Sequence, residues 1–140
     1  TDRKTLDAAV RGRGDSAMKL LGVTVLTNLD RADLAQQGID MPPLALVQER
    51  ARLAQDAGFD GIVASGKEAA ALHERLRDFL IVTPGIRPAG ADANDQTRIV
   101  TPGDAIASGA TYLVVGRPIT RAADPRAAAA AIAGEIAAVG

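Results

Sequence analysis

The chain alternates short apolar runs with helical segments, and this alternation is the strongest constraint on its fold. The runs are rich in β-branched residues and begin near Leu20, Phe59, Phe79 and Tyr112. Each is followed by a segment with a helical apolar period or a helix-start signal. Strands that alternate with helices at this spacing predict right-handed crossovers and a parallel sheet. We therefore expect an α/β fold in which one helix precedes four strand–helix units.

Local signals fix several helix boundaries. Pro43 lies at the start of a helix that Gly58 ends, because glycine adopts the left-handed conformation of a C-cap at little cost. Ser65 and Glu68 have the S-x-x-E spacing of a capping box, which predicts that a third helix begins there. Thr101 precedes a proline and is predicted to be the N-cap of a short helix.

The domain organisation follows from the same pattern. We expect residues 1–140 to form a single domain, with residues 1–18 as a helical segment ahead of the first strand that is broken at Gly12 to Gly14. Four parallel strands are half of an eight-stranded barrel, and such a half leaves strand edges with unpaired backbone groups. Three arrangements remain open: the missing strands come from further sequence, two copies meet edge to edge, or the sheet is open and doubly wound.

Composition excludes several classes of protein. The chain has 16 basic and 17 acidic residues and a net charge of -1, so it lacks the positive field that nucleic acids and anionic membranes attract. It has no cysteine, which excludes disulfides and thiolate metal sites and agrees with a reducing compartment. No apolar run approaches the length of a membrane span. These features favour a cytoplasmic protein.

The loops that follow the strands contain the candidate ligand-binding residues. In (β/α) barrels these loops surround the ligand. Thr27 follows the first strand, Arg87 the third, and Gly116 and Arg117 the fourth, while Gln96 lies on a long loop before the last strand–helix unit. Glycine allows close backbone approach and arginine offers a two-pronged charged contact, so this set predicts a phosphate site. Taken alone, the Gly-Arg pair is equally consistent with a turn and a surface charge.

Four linked motifs carry a family resemblance that covers the chain from about Thr5 to its end. They are Leu21 to Thr27, Val82 to Pro88, Asp95 to Ile99, and Val114 to Thr120. In order and spacing they resemble orotidine 5'-phosphate decarboxylase of the bacterial type. The resemblance implies the second half of a TIM (β/α)8 barrel and a role in de novo pyrimidine biosynthesis. The implied reaction converts orotidine 5'-phosphate to UMP and carbon dioxide without metal or organic cofactor.

The resemblance also assigns roles to individual residues. It places Thr27 near the pyrimidine, and Arg87, Gln96, Gly116 and Arg117 on the phosphate side of the substrate. It implies a homodimer, or a partner that supplies the N-terminal half of the barrel.

The groups that would break the carbon–carbon bond are not found at a strand end in this sequence. The family uses an Asp-x-Lys-x-x-Asp array at the end of its third barrel strand. Asp2, Lys4 and Asp7 have that spacing, but no strand precedes them and the segment reads better as a helix start. His73, the single histidine, lies within a predicted helix and is expected to be structural. We therefore assign no catalytic residue and no metal ligand within the chain.

An alternative of another class is a non-catalytic, self-associating half-barrel that binds phosphate or a nucleotide. A further alternative is another phosphate-binding barrel enzyme, such as a sugar-phosphate epimerase. The pair of motifs around Arg87 and Arg117 argues against that last reading.

Overall fold

The computed structural model describes residues 2–88 and 99–139, which form a parallel sheet with helices packed against it. The strands of this part are β1 (Leu21–Val23), β2 (Gly61–Val63), β3 (Leu80–Thr83) and β4 (Tyr112–Leu113). Its helices are α1 (Arg3–Arg13), α2 (Arg31–Gln36), α3 (Pro43–Ala57), α4 (Gly66–Arg75), α5 (Pro102–Ala107), α6 (Arg117–Thr120) and α7 (Pro125–Ala137). The predicted alternation of strands and helices is confirmed.

The strand order of the sheet is β1-β2-β3-β4, and every neighbouring pair is parallel. One row of the register runs from Val23 through Val63 and Val82 to Tyr112. A sheet whose spatial order follows the chain order winds in one direction, as in a barrel, whereas a doubly wound sheet reverses its order. The described strands therefore have barrel topology, and the doubly wound alternative is excluded for them.

One face of the sheet forms the main apolar core with the helices. Ile62 and Ile81 are adjacent in the register and fully buried beneath α3 and α4. Val47 and Leu72 from these two helices belong to the same cluster. Because side chains alternate between the faces of a strand, the next residue of each strand points to the opposite side.

That opposite side, which we name the open face, is apolar and largely accessible. It comprises Leu21, Val23, Tyr112 and Val114, with exposed fractions of 39%, 51%, 59% and 52%. Val63 and Val82, between them in the register, are half-buried. In a closed barrel these side chains would fill the interior. The open face is thus the inner surface of an incomplete barrel.

Helix boundaries agree with the sequence signals except at the start of the chain. The predicted helix over residues 1–18 ends at Arg13, because Gly14 has a φ of 53° and its N–H donates to the Val10 carbonyl. The short helices α2 and α6 were not predicted. Asp30 and Asp33 form a capping box at α2, and this spacing was a usable sequence signal. Among the described helices, none is long and apolar enough to cross a membrane.

A set of hydrogen bonds centred on the Asp60 carboxylate connects α1 to the amino-terminal edge of the sheet. Asp60 Oδ2 accepts hydrogen bonds from the Leu20 amide at 2.9 Å and from Arg13 Nη1 at 2.7 Å. Its Oδ1 accepts from Lys19 Nζ at 3.0 Å. The Leu20 amide, followed by Lys19 and Arg13, lowers the pKa of Asp60 below its ordinary value. This set of hydrogen bonds joins the end of α1 to the residue before β2.

Candidate functional site

The predicted ligand-binding residues occupy equivalent places at one edge of the sheet. Thr27, Arg87 and Arg117 each lie four residues beyond the end of a strand, namely β1, β3 and β4. Because the strands are parallel, their carboxyl ends meet at the same edge. β3 and β4 are neighbours, so Arg87 and Arg117 follow adjacent strands, while Thr27 follows a strand at the far side of β2.

Arg87 is a buried cation with a fixed backbone. Its side chain and main chain together are only 6% exposed. The Arg87 amide donates to the Val100 carbonyl at 2.9 Å, and Nη1 donates to the Ile86 carbonyl at 2.8 Å. Ile86 in turn pairs with Val100 in an isolated parallel bridge. Arg87 thus places a buried guanidinium, a group that can make two-pronged hydrogen bonds to an anion, four residues beyond the end of β3.

Gly116 and Arg117 begin the short helix α6. The Gly116 carbonyl accepts hydrogen bonds from the Ile119 and Thr120 amides at 2.9 and 3.0 Å. A Cβ built on Gly116 would meet no described atom within 4 Å, and Arg117 is half-buried. The Gly116 backbone is therefore open to close approach, and a half-buried arginine follows it directly in the chain, a combination that suits a phosphate.

The backbone leading to Thr27 is held by its neighbours on β2 and α3. Thr24 donates to the Val63 carbonyl from its amide at 3.2 Å and from Oγ1 at 2.8 Å. Arg50 Nη1 donates to the Thr24 carbonyl at 2.5 Å. Thr27 itself is half-buried. Sequence reasoning missed Arg50, since nothing in the pattern of α3 distinguishes it from a surface arginine.

Ser65 and Glu68 form a buried capping box at the start of α4, as the sequence predicts. The Ser65 amide donates to Glu68 Oε2 at 3.0 Å, and the Ser65 hydroxyl donates to the same oxygen. Ser65 is fully buried and Glu68 is 4% exposed. The pair thus fixes the direction in which α4 leaves the carboxyl end of β2.

The Asp2, Lys4 and Asp7 set lies on an outer helix. Asp2 is the N-cap of α1, and its carboxylate accepts from the Thr5 amide and the Thr5 hydroxyl at 3.0 and 2.9 Å. These bonds lower the pKa of Asp2, with the backbone bond from Thr5 as the largest cause. Asp7 pairs with Arg3 at 2.8 Å, and α1 packs against α3. The structure thus makes Asp2 the cap of α1 and Asp7 the partner of Arg3 within the same helix, which precedes β1.

His73, which the sequence predicts to be structural, is exposed on α4. Gln96, predicted on the phosphate side, lies outside the described residues.

Comparison with known proteins gives a consistent family. The family model described as "Orotidine 5'-phosphate decarboxylase / HUMPS family" matches residues 1–132. Orotidine 5'-phosphate decarboxylase of Rhodopseudomonas palustris (strain BisA53) is 58% identical over 95% of this chain and 57% of that protein. The protein of the same name from Methylobacterium radiotolerans is 53% identical over 96% of this chain and 58% of its own length.

A solved structure supports the same conclusion. The crystal structure of orotidine 5'-phosphate decarboxylase from Lactobacillus acidophilus is 38% identical, with a TM-score of 0.77 over 96% of this chain and 59% of that one. The chain therefore spans a little over half the length of the curated relatives that it matches, 57% and 58% for the two above. Its described part is the corresponding share of a TIM barrel, as the resemblance implied. The chain belongs to the orotidine 5'-phosphate decarboxylase / HUMPS family.

Proposed function

We propose that this chain is the substrate-binding part of an orotidine 5'-phosphate decarboxylase, which converts orotidine 5'-phosphate to UMP and carbon dioxide in pyrimidine biosynthesis. The observation that carries the proposal is the common placement of Thr27, Arg87 and Arg117, each four residues beyond its strand at one edge of the sheet. The names of the relatives at 53% to 58% identity supply the substrate.

The two arginines are proposed to bind the phosphate. They follow adjacent strands, and neighbouring strands lie about 4.8 Å apart, which is close enough for two long side chains to reach one dianion. Hydrogen bonds to charged groups contribute about 1.5 to 3 kcal/mol each, so removing the Arg117 guanidinium should weaken phosphate affinity roughly tenfold to hundredfold. Gly116 adds a backbone that the phosphate can approach closely, and Gln96 is proposed as a neutral amide donor.

Thr27 is proposed to contact the pyrimidine end of the ligand. β1 and β4 are the two edge strands of the described sheet, at most about 14 Å apart across three strand spacings. A ligand that reaches from Thr27 to Arg117 must be elongated, with an anion at one end. A nucleoside monophosphate has this shape, whereas inorganic phosphate can engage only the arginine end.

The chemical step is proposed to need groups from the remainder of the barrel. In the described residues, the Asp2, Lys4 and Asp7 spacing lies on α1 and not at a strand end. Phosphate contacts remote from the reacting carbon still serve the reaction, because their binding energy orients the substrate carboxylate against groups that destabilise it. The binding residues of this chain should therefore affect turnover of the complete enzyme as well as affinity.

The open face is proposed to pack against those remaining strands. Its four apolar side chains are 39% to 59% exposed here and would become the interior of a closed barrel. The complete barrel is proposed to be a cytoplasmic homodimer, in agreement with the family resemblance, the near-neutral charge and the lack of cysteine.

Titration of the 140-residue chain with UMP tests the binding proposal. We expect saturable binding by isothermal titration calorimetry, and a loss of at least tenfold in affinity for Arg117→Ala. Arg126→Ala is the matched control, since Arg126 is exposed on α7, and it should leave the affinity unchanged. Equal affinity of the two variants would contradict the assignment of the phosphate site.

A further inference from the structure

We propose that Gly66 is a positioning residue for the phosphate site. The absence of a side chain at Gly66 lets Val100 lie against the start of α4, and Val100 in turn fixes the backbone of Arg87. The functional part of this inference rests on the proposed role of Arg87 in binding phosphate.

The contact between Gly66 and Val100 leaves no room for a methyl group. A Cβ built on Gly66 would lie 2.3 Å from Val100 Cγ2, 3.0 Å from Cγ1 and 3.2 Å from Cβ. Rotation about χ1 of Val100 cannot relieve this overlap, because valine carries two γ-carbons and the Cβ is itself too close. Gly66 is not among the described residues with positive φ, so the requirement is for space and not for backbone conformation.

Hydrogen bonds of the neighbouring residues fix the backbone of Gly66 at the start of α4. It lies between Ser65, which is fully buried, and the helical turn that contains Glu68. The Ser65 amide bonds to the Glu68 carboxylate, and the preceding residue, Ala64, donates its amide to the Val82 carbonyl at 3.1 Å. A side chain at position 66 would therefore displace Val100 more readily than it would displace the start of α4.

Val100 connects this contact to Arg87. Its carbonyl accepts the Arg87 amide at 2.9 Å, and it pairs with Ile86, which is fully buried. Restoring ordinary carbon–carbon contact from 2.3 Å requires a shift on the order of 1 Å. Such a shift would strain the Arg87 hydrogen bond, and a displacement of this size in a binding group can cost as much as a hundredfold in rate.

The test uses two readouts on the 140-residue chain, one of which needs no ligand. The first is hydrogen exchange at the Arg87 amide by NMR, and the second is the dissociation constant of UMP. We expect Gly66→Ala to reduce protection of the Arg87 amide at least tenfold and to weaken UMP binding at least fivefold. The double variant Gly66→Ala, Val100→Ala should recover most of both, because alanine at position 100 lacks both γ-carbons.

Two controls separate positioning from general stability. Gly12→Ala also adds a methyl group to a helical glycine, but its Cβ would meet no described atom within 4 Å, so it should change neither readout. Val100→Ala alone should keep the Arg87 amide protected, since the bond uses the Val100 carbonyl.

The outcomes distinguish this inference from the proposed function. Unchanged Arg87 protection in folded Gly66→Ala would overturn the inference, as would an equal loss of protection at every amide or a failure of Val100→Ala to rescue. Absence of UMP binding by the unmodified chain would count against the proposed function, while the exchange data would still decide the positioning role.

Discussion

The core and the open face should respond differently to the same substitution. Val23 is the last residue of β1 and is 51% exposed on the open face, whereas Val25, two residues beyond the end of β1, is 3% exposed in the core. Val→Ala removes two methyl groups at either position. In the isolated chain we expect Val25→Ala to destabilise the fold clearly and Val23→Ala to have a small effect.

The magnitudes follow from burial. Two buried methyl groups contribute about 1.6 kcal/mol of transfer free energy. A residual cavity of about 50 Å³ would add about 1.2 kcal/mol, so Val25→Ala should cost roughly 1.6 to 2.8 kcal/mol depending on how far the site collapses. Val23 is half-exposed and its removal leaves no closed cavity, so Val23→Ala should cost at most about 0.8 kcal/mol.

Urea unfolding followed by far-ultraviolet circular dichroism measures both free energies of unfolding, provided that the slopes agree among the variants. The measurement should be repeated at several protein concentrations, because association through the open face would make the midpoint depend on concentration. If Val23→Ala cost as much as Val25→Ala in a concentration-independent transition, the open face would already be packed, and our account of an incomplete barrel would be refuted.

Three further predictions address single contacts. Asp60→Asn should lower the free energy of unfolding at neutral pH and flatten the decline of stability in acid. The folded pKa of Asp60 lies below its ordinary value of 3.8, so the carboxylate stabilises the fold fully above that pH and stops doing so as the pH falls through the folded pKa. Acid denaturation curves of the two proteins would show this difference. Gly61→Ala should lower the free energy of unfolding by about 1 to 3 kcal/mol or more in thermal unfolding, because the added Cβ would lie 2.4 Å from the Leu80 carbonyl oxygen on β3. A neutral effect would contradict the β2–β3 register. Thr83→Val should be neutral or stabilise by about 1 kcal/mol in urea unfolding, because the buried Thr83 hydroxyl has no hydrogen-bond partner in the described part of the chain; a marked loss would show that it has one.

Much of the fold was predictable because its signals are local. Gly58 and the Ser65–Glu68 capping box mark helix ends through their own backbone and side-chain chemistry, and the structure places both as the sequence predicts. The apolar runs located all four strands of the described sheet, although the strands are shorter than the runs. The break predicted at Gly12 to Gly14 is where α1 ends, but the helical segment does not resume over residues 15–18 as its apolar residues suggested.

The candidate site was predictable only in part. Strand ends located Thr27, Arg87 and Arg117, because the parallel order of the strands brings their carboxyl ends to one edge. The contacts that hold the backbone near these residues could not be predicted from the sequence. Arg50 bonds to Thr24 across 26 positions, and Gly66 contacts Val100 across a longer separation. Such contacts depend on tertiary packing, which leaves no local pattern.

The central claim is that this chain binds the substrate while the bond-breaking groups lie elsewhere. The most direct test is the decarboxylation of orotidine 5'-phosphate, followed by the loss of its ultraviolet absorbance, with the 140-residue chain alone and with its Lys4→Ala variant. We predict no turnover above the uncatalysed rate for either protein. Turnover by the chain alone that Lys4→Ala abolishes would contradict the account, because it would show that the Asp2, Lys4 and Asp7 set is catalytic.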